Sequence, residues 1–528
     1  MGVYLNPGND SFRSIRRGLY IDKSGLISYI NQTLGTPDKL TCVSRPRRFG
    51  KSFAAKMLCA YYDKSCNSKE LFQGLEISND SSFEKYLNQY NVLYLDITWF
   101  ISTTEKIHDT VLHLQKEIID ELSESFPGTI KEGRTSVPLA LSDINKATQQ
   151  KFIVIIDEWD ALFREAPSDT ELQEEYLQLL RGLFKSGSQS DKMIEAAYMT
   201  GILPIKKYGT QSALTDFYEY TMVQPEPLEK YMGFTETEVR KICDHANMNF
   251  YELQNWYDGY LLGNELHVYS PKSVLEAVKR KRLGSYWTQT ETYESLKSYI
   301  NGNWNHLRED IISMLAGNRC KISTRKFQND MINIKGKDDV LTLLVHLGYL
   351  AYDINTKEAF IPNLEVSDEF KNAVEDSGWE HISDALRMSE NLLHATLSKD
   401  SATVAAIIDN IHSENTSILS CHDENSLSCI IAIAYYYARK DYTMDRELPA
   451  GKGFADIVLR PRRHTDKPAI IVELKWNQSA QSAIQQIKDR QYPQALKEYA
   501  DELLLVGINY DKKTKKHTCE IETTACQI

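Results

Sequence analysis

The sequence predicts an α/β protein: a parallel-sheet module, a mostly helical middle and an α+β end. Three observations predict it. Short apolar runs alternate with helical patterns through the first part of the chain, as strands joined by crossover helices do. Mixed helical spacing and glycine turns then replace them, and further β runs return only near the end. The length agrees, because 528 residues at roughly 150 per domain give about three folding units. The divisions fall at residues 1–224, 225–387 and 388–528.

Each element has a local reason. Leu40–Ser44 is a short apolar strand, and Lys51–Tyr62 after it reads as a helix. Residues 92–97 form a second strand candidate. Residues 104–124 carry Ile107, Val111, Leu114, Ile118 and Leu122 at helical spacing. Residues 152–156 and 194–200 are continuous apolar runs of the kind buried on both faces of a sheet. Nearer the end, 392–411 and 430–437 read as helices, and 456–459, 469–474 and 503–508 as strands.

Composition limits the function classes. Hydrophobic residues make up 42% and charged residues 25%, so the chain is globular rather than disordered. Its 61 basic against 73 acidic residues give a net charge of −12. Such a chain is no general glue for nucleic acid, and any contact of that kind must come from local basic patches. The longest apolar stretches, 341–352 and 430–438, fall short of the about 18 residues a membrane span needs. No charged segment followed by an apolar core opens the chain, and its nine cysteines include no C-x-x-C. The expectation is a cytoplasmic protein with reduced thiols and no membrane partner.

Arg45-Pro46-Arg47-Arg48-Phe49-Gly50-Lys51-Ser52 lies between a strand and a helix, where a phosphate loop belongs. Gly50 lets the backbone approach, Lys51 can reach β- and γ-phosphates, and Ser52 can ligate Mg²⁺. The helix start adds partial positive charge. The first glycine of G-x-x-x-x-G-K-[ST] is Arg45 here, so the segment alone could be a turn and a cap. A second element follows in the right order. The apolar strand of residues 152–156 ends in Asp157 and Glu158, which could hold Mg²⁺ through water and polarise an attacking water. Thr200, ending the next apolar run, could sense a γ-phosphate or be an ordinary strand-end threonine. Arg47 and Arg48 could grip phosphate or contact a neighbouring subunit of a homo-oligomer.

The other constellation lies near the end. Asp456 opens one apolar run, and Ile470-Ile471-Val472-Glu473-Leu474-Lys475 forms the next. In a strand, Glu473 and Lys475 share a face. A hairpin-like return would bring Asp456 alongside, making a D…E-x-K cluster. Two carboxylates offer hard oxygen ligands for Mg²⁺, and the lysine can orient water for attack on a phosphodiester. The Leu474 carbonyl could add a ligand, and Gln486 and Tyr492 could touch phosphate or base. The plain alternative is a hairpin bearing an exposed Glu/Lys pair.

Residues 15–220 resemble the bacterial AAA-ATPase-like family, whose loop reads R-P-R-R-F-G-K-S. Tyr20-Ile21-Asp22-Lys23-Ser24, Thr200-Gly201-Ile202-Leu203, Gly233-Phe234-Thr235-Glu236 and Trp256-Tyr257-Asp258-Gly259-Tyr260 carry the likeness further, with Val268-Tyr269-Ser270-Pro271 and Gly348-Tyr349-Leu350. The last part resembles the PD-(D/E)XK nuclease domain that follows that ATPase. The resemblance implies a P-loop NTPase sheet, a winged-helix-like middle and a restriction-endonuclease-like end. It gives nucleotide chemistry with ATP and Mg²⁺ to Lys51, Ser52, Asp157 and Glu158. Metal and nuclease chemistry go to Asp456, Glu473 and Lys475, with Glu424 as a helix carboxylate supporting the metal. Two places depart from the family pattern. Gly453-Phe454-Ala455-Asp456 lacks the arginine of G-R-x-D, and residues 212–216 replace an asparagine-rich stretch.

Three basic runs stand out: Lys279-Arg280-Lys281-Arg282, Arg460-Pro461-Arg462-Arg463 and Lys512-Lys513-Thr514-Lys515-Lys516. Most such runs are solvated faces; the Arg460 run adjoins the carboxylate cluster and is the one expected to meet a DNA backbone. His412, Cys421, His422 and Cys429 fit no standard zinc spacing. The expected activity is ATP-dependent chemistry coupled to metal-dependent cleavage of nucleic acid, DNA first, in defence or mobile-element biology. The alternatives are a nucleotide-controlled binding module with an inactive nuclease-like domain, and an ATPase switch for partner assembly.

Overall fold

The computed structural model describes residues 2–185, 187, 189–205, 214, 216–287, 292–302, 304, 306–327, 334–377, 379–415, 424–450, 453–462, 465–490 and 502–525. The chain forms two compact units. One comprises Met1–His245, Tyr260–Arg280 and Ile322–Lys357, and the other Ala246–Gly259, Lys281–Lys321 and Glu358–Ile528. Residues 225–387 are thus shared between them.

The first unit is built on five strands: β1 (Leu40–Ser44), β2 (Asn91–Asp96), β3 (Phe152–Asp157), β4 (Ile194–Gly201) and β5 (Tyr218–Tyr220). Their order is β5-β1-β4-β3-β2, and every pairing is parallel. Parallel neighbours need crossovers, so helices cover both faces. Alternation within each strand divides the core. Val43, Ile153, Ile155 and Tyr198 pack with α1 (Lys51–Tyr62). Cys42, Val154, Ile156 and Met199 pack with the helices Thr110–Ser125, Val137–Thr148 and Thr170–Phe184. Both faces are buried, which is why these strands read as unbroken apolar runs. The expected 104–124 helix begins at Thr110, after a 3-10 turn at Ile107–Asp109. A three-stranded antiparallel sheet of Phe234–Thr235, Leu266–Tyr269 and Tyr260–Leu262 also belongs to this unit.

The second unit contains a mixed sheet: β6 (Tyr442–Ala450), β7 (Gly453–Pro461), β8 (Ala469–Trp476), β9 (Glu502–Asp511) and β10 (Lys516–Ala525), in chain order. Only β8 and β9 run parallel, so a crossover must join them, and α3 (Ala480–Asp489) lies between them in sequence. A helix α2 (Glu424–Ala434) precedes the sheet. The three expected strands are β7, β8 and β9, each longer than its apolar run. The outer strands β6 and β10 escape such a reading because polar residues dominate Lys516–Ala525 and interrupt Tyr442–Ala450. Among the described residues no helix is long and apolar enough to cross a membrane, and the six described cysteines are free.

Helix α3 lies close against the sheet at Gly507, where a Cβ would come within 2.3 Å of the Ala480 carbonyl oxygen. Backbone cannot yield as a side chain can. Gly507→Ala is expected to destabilise the chain by about 1–3 kcal/mol, read by chemical denaturation. An unchanged midpoint would show that α3 can lift from the sheet at no cost.

Candidate functional site

The carboxyl ends of β1, β3 and β4 converge, as ligand-binding ends of parallel sheets do. Gly50 caps α1 with φ +90°. A Cβ there would meet nothing within 4 Å, so glycine is required for its backbone angle rather than for space. Lys51 is buried; its Nζ donates to the Pro46 carbonyl at 3.1 Å and lies 3.5 Å from Glu158 Oε1. The Ser52 hydroxyl is near enough to the Asp157 carboxylate to favour its ionised form. Asp157 is buried and stands opposite Thr200 in register. Burial, aided by Glu158 and Asp96, pushes Asp157 up to about 6 against the pull of Ser52 and Lys51. Thr200 Oγ1 is buried with no hydrogen-bond partner among the described residues.

Glu158 has φ +52°, a left-handed conformation that a glutamate adopts at a cost. Burial alone would raise its pKa, but the cations Lys51, Arg164 and Arg47 overcome this and hold it below the ordinary value. Arg164 donates to Glu158 at 2.7 Å and to Asp160 at 3.1 Å. Asp160 in turn accepts from the backbone N–H groups of Ile202 (3.2 Å) and Leu203 (2.9 Å). Sequence reasoning missed Arg164 and Asp160. The signal was Asp160 and Arg164 at i and i+4, directly after the two carboxylates.

Arg45, which stands in the place of the first loop glycine, is wholly buried. Its Nη1 donates to the carbonyls of Ser44 and Tyr220, both at 2.9 Å, so it braces β1 against β5. Lys23 is likewise a strut, bonded to Glu238 at 2.7 Å and to the Lys230 carbonyl at 2.8 Å. A cavity of about 450 Å³ opens beside the loop, with Arg48, Lys51, Tyr20, Ile21, Phe53 and Phe234 among its lining residues. Arg47 is placed near Glu158, where it helps hold the carboxylate ionised.

In the second unit, β7 and β8 are antiparallel with Ile457 opposite Val472, which brings Asp456 beside Glu473. Asp456 Oδ2 accepts the Leu474 N–H at 2.7 Å. Glu473 is 2% exposed. Its Oε1 accepts from Lys475 Nζ at 3.1 Å and from the Gln486 amide, while Oε2 has no partner among the described residues. Burial and then the Asp456 charge push Glu473 up to about 7, against Lys475 and Arg490. The Leu474 carbonyl, expected as a ligand, accepts from Lys475 Nζ at 3.1 Å. Glu424 begins α2; its side chain, Tyr492 and residues 212, 213 and 215 lie outside the described residues.

Two lesser groups can be placed in part. Arg460 is bonded to Asp445 at 2.6 and 2.9 Å and Arg462 to the Arg439 carbonyl, so both have partners within the protein, while Arg463 lies outside the described residues. Of the histidine–cysteine group, His412 Nδ1 meets His517 Nε2 at 3.1 Å, while Cys421 and His422 lie outside the described residues.

A phosphate loop heading a parallel sheet and a D…E-x-K cluster on a mixed sheet define a nucleotide-binding, nuclease-like protein. Residues 7–210 match the family described as Predicted AAA-ATPase, and residues 423–520 match the PD-(D/E)XK nuclease superfamily. Over 295 residues the chain is 25% identical to the "Uncharacterized protein in vnfD 5′ region" of Azotobacter chroococcum mcd 1. That match covers 54% of each protein, so the chain spans about half the length of this relative.

The raised Glu473 sets a sign for stability. Its folded pKa of about 7 exceeds the ordinary 4.5, so the folded state binds the proton more tightly between those values. Stability from this group is therefore present below about pH 4.5 and lost as pH rises through about 7. Glu473→Gln is expected to melt higher than the wild type at pH 8 in EDTA, and level with it near pH 5. A gap of equal size at both pH values would contradict the buried-charge account.

Proposed function

We infer that the chain binds and hydrolyses ATP with Mg²⁺ and cleaves nucleic-acid phosphodiesters, DNA first, with a second metal-dependent site. One observation carries the nuclease reading: Glu473 presents a buried, unpartnered carboxylate oxygen beside Asp456 and Lys475. Such an oxygen is costly to bury unless a cation meets it. Asp456 and Glu473 would hold the ion, which when bound supplies charge for the phosphate and an acidified water. Lys475 Nζ, already between Glu473 and the Leu474 carbonyl, is placed to orient the attacking oxygen. Gln486 holds the Glu473 carboxylate in place. The full D…E-x-K set favours this over an inactive nuclease-like domain.

At the other site Lys51, the loop N–H groups and the start of α1 would take the phosphates. Ser52 and Asp157 would hold Mg²⁺, and Glu158, kept ionised by its cations, would orient water. Thr200 stands beside Asp157, where a γ-phosphate would arrive. Arg48 lines the same cavity and Arg47 stands near Glu158, both suited to phosphate.

Lys51→Ala is expected to weaken ATP binding at least tenfold while leaving metal binding at the other site intact. Asp456→Ala is expected to abolish cutting of single- or double-stranded DNA or RNA in Mg²⁺ or Mn²⁺. Running both variants with ATP, ADP and no nucleotide shows whether the sites communicate. No cutting of any substrate by the wild type, with ATP hydrolysis intact, would leave a binding module. Because the ion competes with the Glu473 proton, Mn²⁺ affinity should rise about tenfold per pH unit below pH 7 and level off above it. Titration calorimetry at pH 6, 7 and 8 measures this.

A further inference from the structure

Between β9 and β10 the chain reads Asp511-Lys512-Lys513-Thr514-Lys515-Lys516, and residues 512–516 are all exposed. Asp511 is spent inside the turn: its Oδ1 accepts the N–H groups of Lys513 at 2.7 Å and Thr514 at 3.2 Å. Asn477 Oδ1 fixes the Lys512 N–H at 2.8 Å. No ammonium group of the four lysines pairs with any described residue. In the other basic runs some charges are answered: Arg280 pairs with Glu276 at 2.8 Å and Arg460 with Asp445, while Lys281 bonds the Ala246 carbonyl. In a chain of net charge −12, one ordered turn carries four cations against the single Asp511 carboxylate opposite Lys516, an excess of positive charge that favours an anion.

The turn's place in the sheet says which anion. Strands β8 and β9 are parallel, with Glu473 opposite Gly507, Lys475 opposite Asn509 and Trp476 opposite Tyr510. The turn therefore leaves the sheet at the end that carries Glu473 and Lys475. At about 3.3 Å per strand residue it lies roughly 15–20 Å beyond the carboxylates. Half-buried Trp476 and Tyr510, with ring centroids 4.7 Å apart, lie between. At about 3.4 Å per base pair, that span is about five base pairs of duplex.

We propose that this lysine turn grips the phosphate backbone of a nucleic-acid duplex about five base pairs from the bond held at Asp456 and Glu473. It rests on the nuclease reading above and adds the surface that positions the substrate. Contacts of this kind set register and carry no base sequence.

The test uses the full chain in EDTA, so that a labelled 30-base-pair duplex stays uncut, with affinity measured across a salt series. Lys512, Lys513, Lys515 and Lys516 are changed together to Gln, and in a second protein together to Arg. The Gln variant should bind at least tenfold more weakly near 100 mM salt, equally for unrelated sequences. Its slope of log affinity against log salt should be shallower by about 3–4, at about 0.9 per phosphate contact. The Arg variant should bind as the wild type does. Unchanged affinity and slope in the Gln variant would overturn the lysine turn alone and leave the nuclease reading standing. No binding by the wild type at low salt, either in EDTA or with Ca²⁺ in its place, would overturn both.

Discussion

A buried chain of alternating charge, Lys51–Glu158–Arg164–Asp160, holds the ends of three strands together. Lys51 follows β1, Glu158 follows β3, and Asp160 takes the backbone N–H groups just beyond β4. Lys51, Arg164 and Asp160 are largely removed from water and Glu158 opens only to the cavity, so each depends on the next for its charge. Breaking such a chain at one member leaves its neighbours buried and uncompensated, which is far costlier than the pairing itself is worth. The left-handed Glu158 backbone is consistent with this constraint: the carboxylate is held where both cations reach it.

The two sites use opposite electrostatic arrangements on the same residue types. At the loop, two cations and a nearby arginine keep Glu158 ionised in spite of burial, while burial, with Glu158 and Asp96 behind it, pushes Asp157 up to about 6. At the other site burial and the Asp456 charge outweigh Lys475 and Arg490, and Glu473 rises to about 7. Neighbouring acids pushed apart in this way can take different roles at neutral pH. A divalent cation would reverse the arrangement at Glu473, since it supplies the positive charge that one lysine does not.

Much of this was legible in the chain. β1, β3, β4 and β8 are buried on both faces and read as apolar runs, and Glu473 and Lys475 share a face because strand residues alternate. The polar edge strands were not legible, because a strand with one solvated face carries little apolar signal. Arg45 looked like a substituted glycine in a phosphate loop, yet its guanidinium turns inward and braces β5. The Arg460 run looked like a bare cluster of charge, whereas Arg460 is paired with Asp445. The Lys512 run looked like any solvated face until its pairing and position were known.

The sequence by itself determined the order of elements, the loop glycine and the residues able to bear phosphate or metal chemistry. Those depend on neighbours within a few positions, where helix and strand periods operate. Tertiary structure alone decided that Arg164 clamps Glu158, that Gln486 holds Glu473, and that the lysine turn lies at the carboxylate end of β8. Such pairings join residues on different elements, and no local period records them. Burial then decides their strength, because the same ion pair is weak in water and dominant once water is excluded.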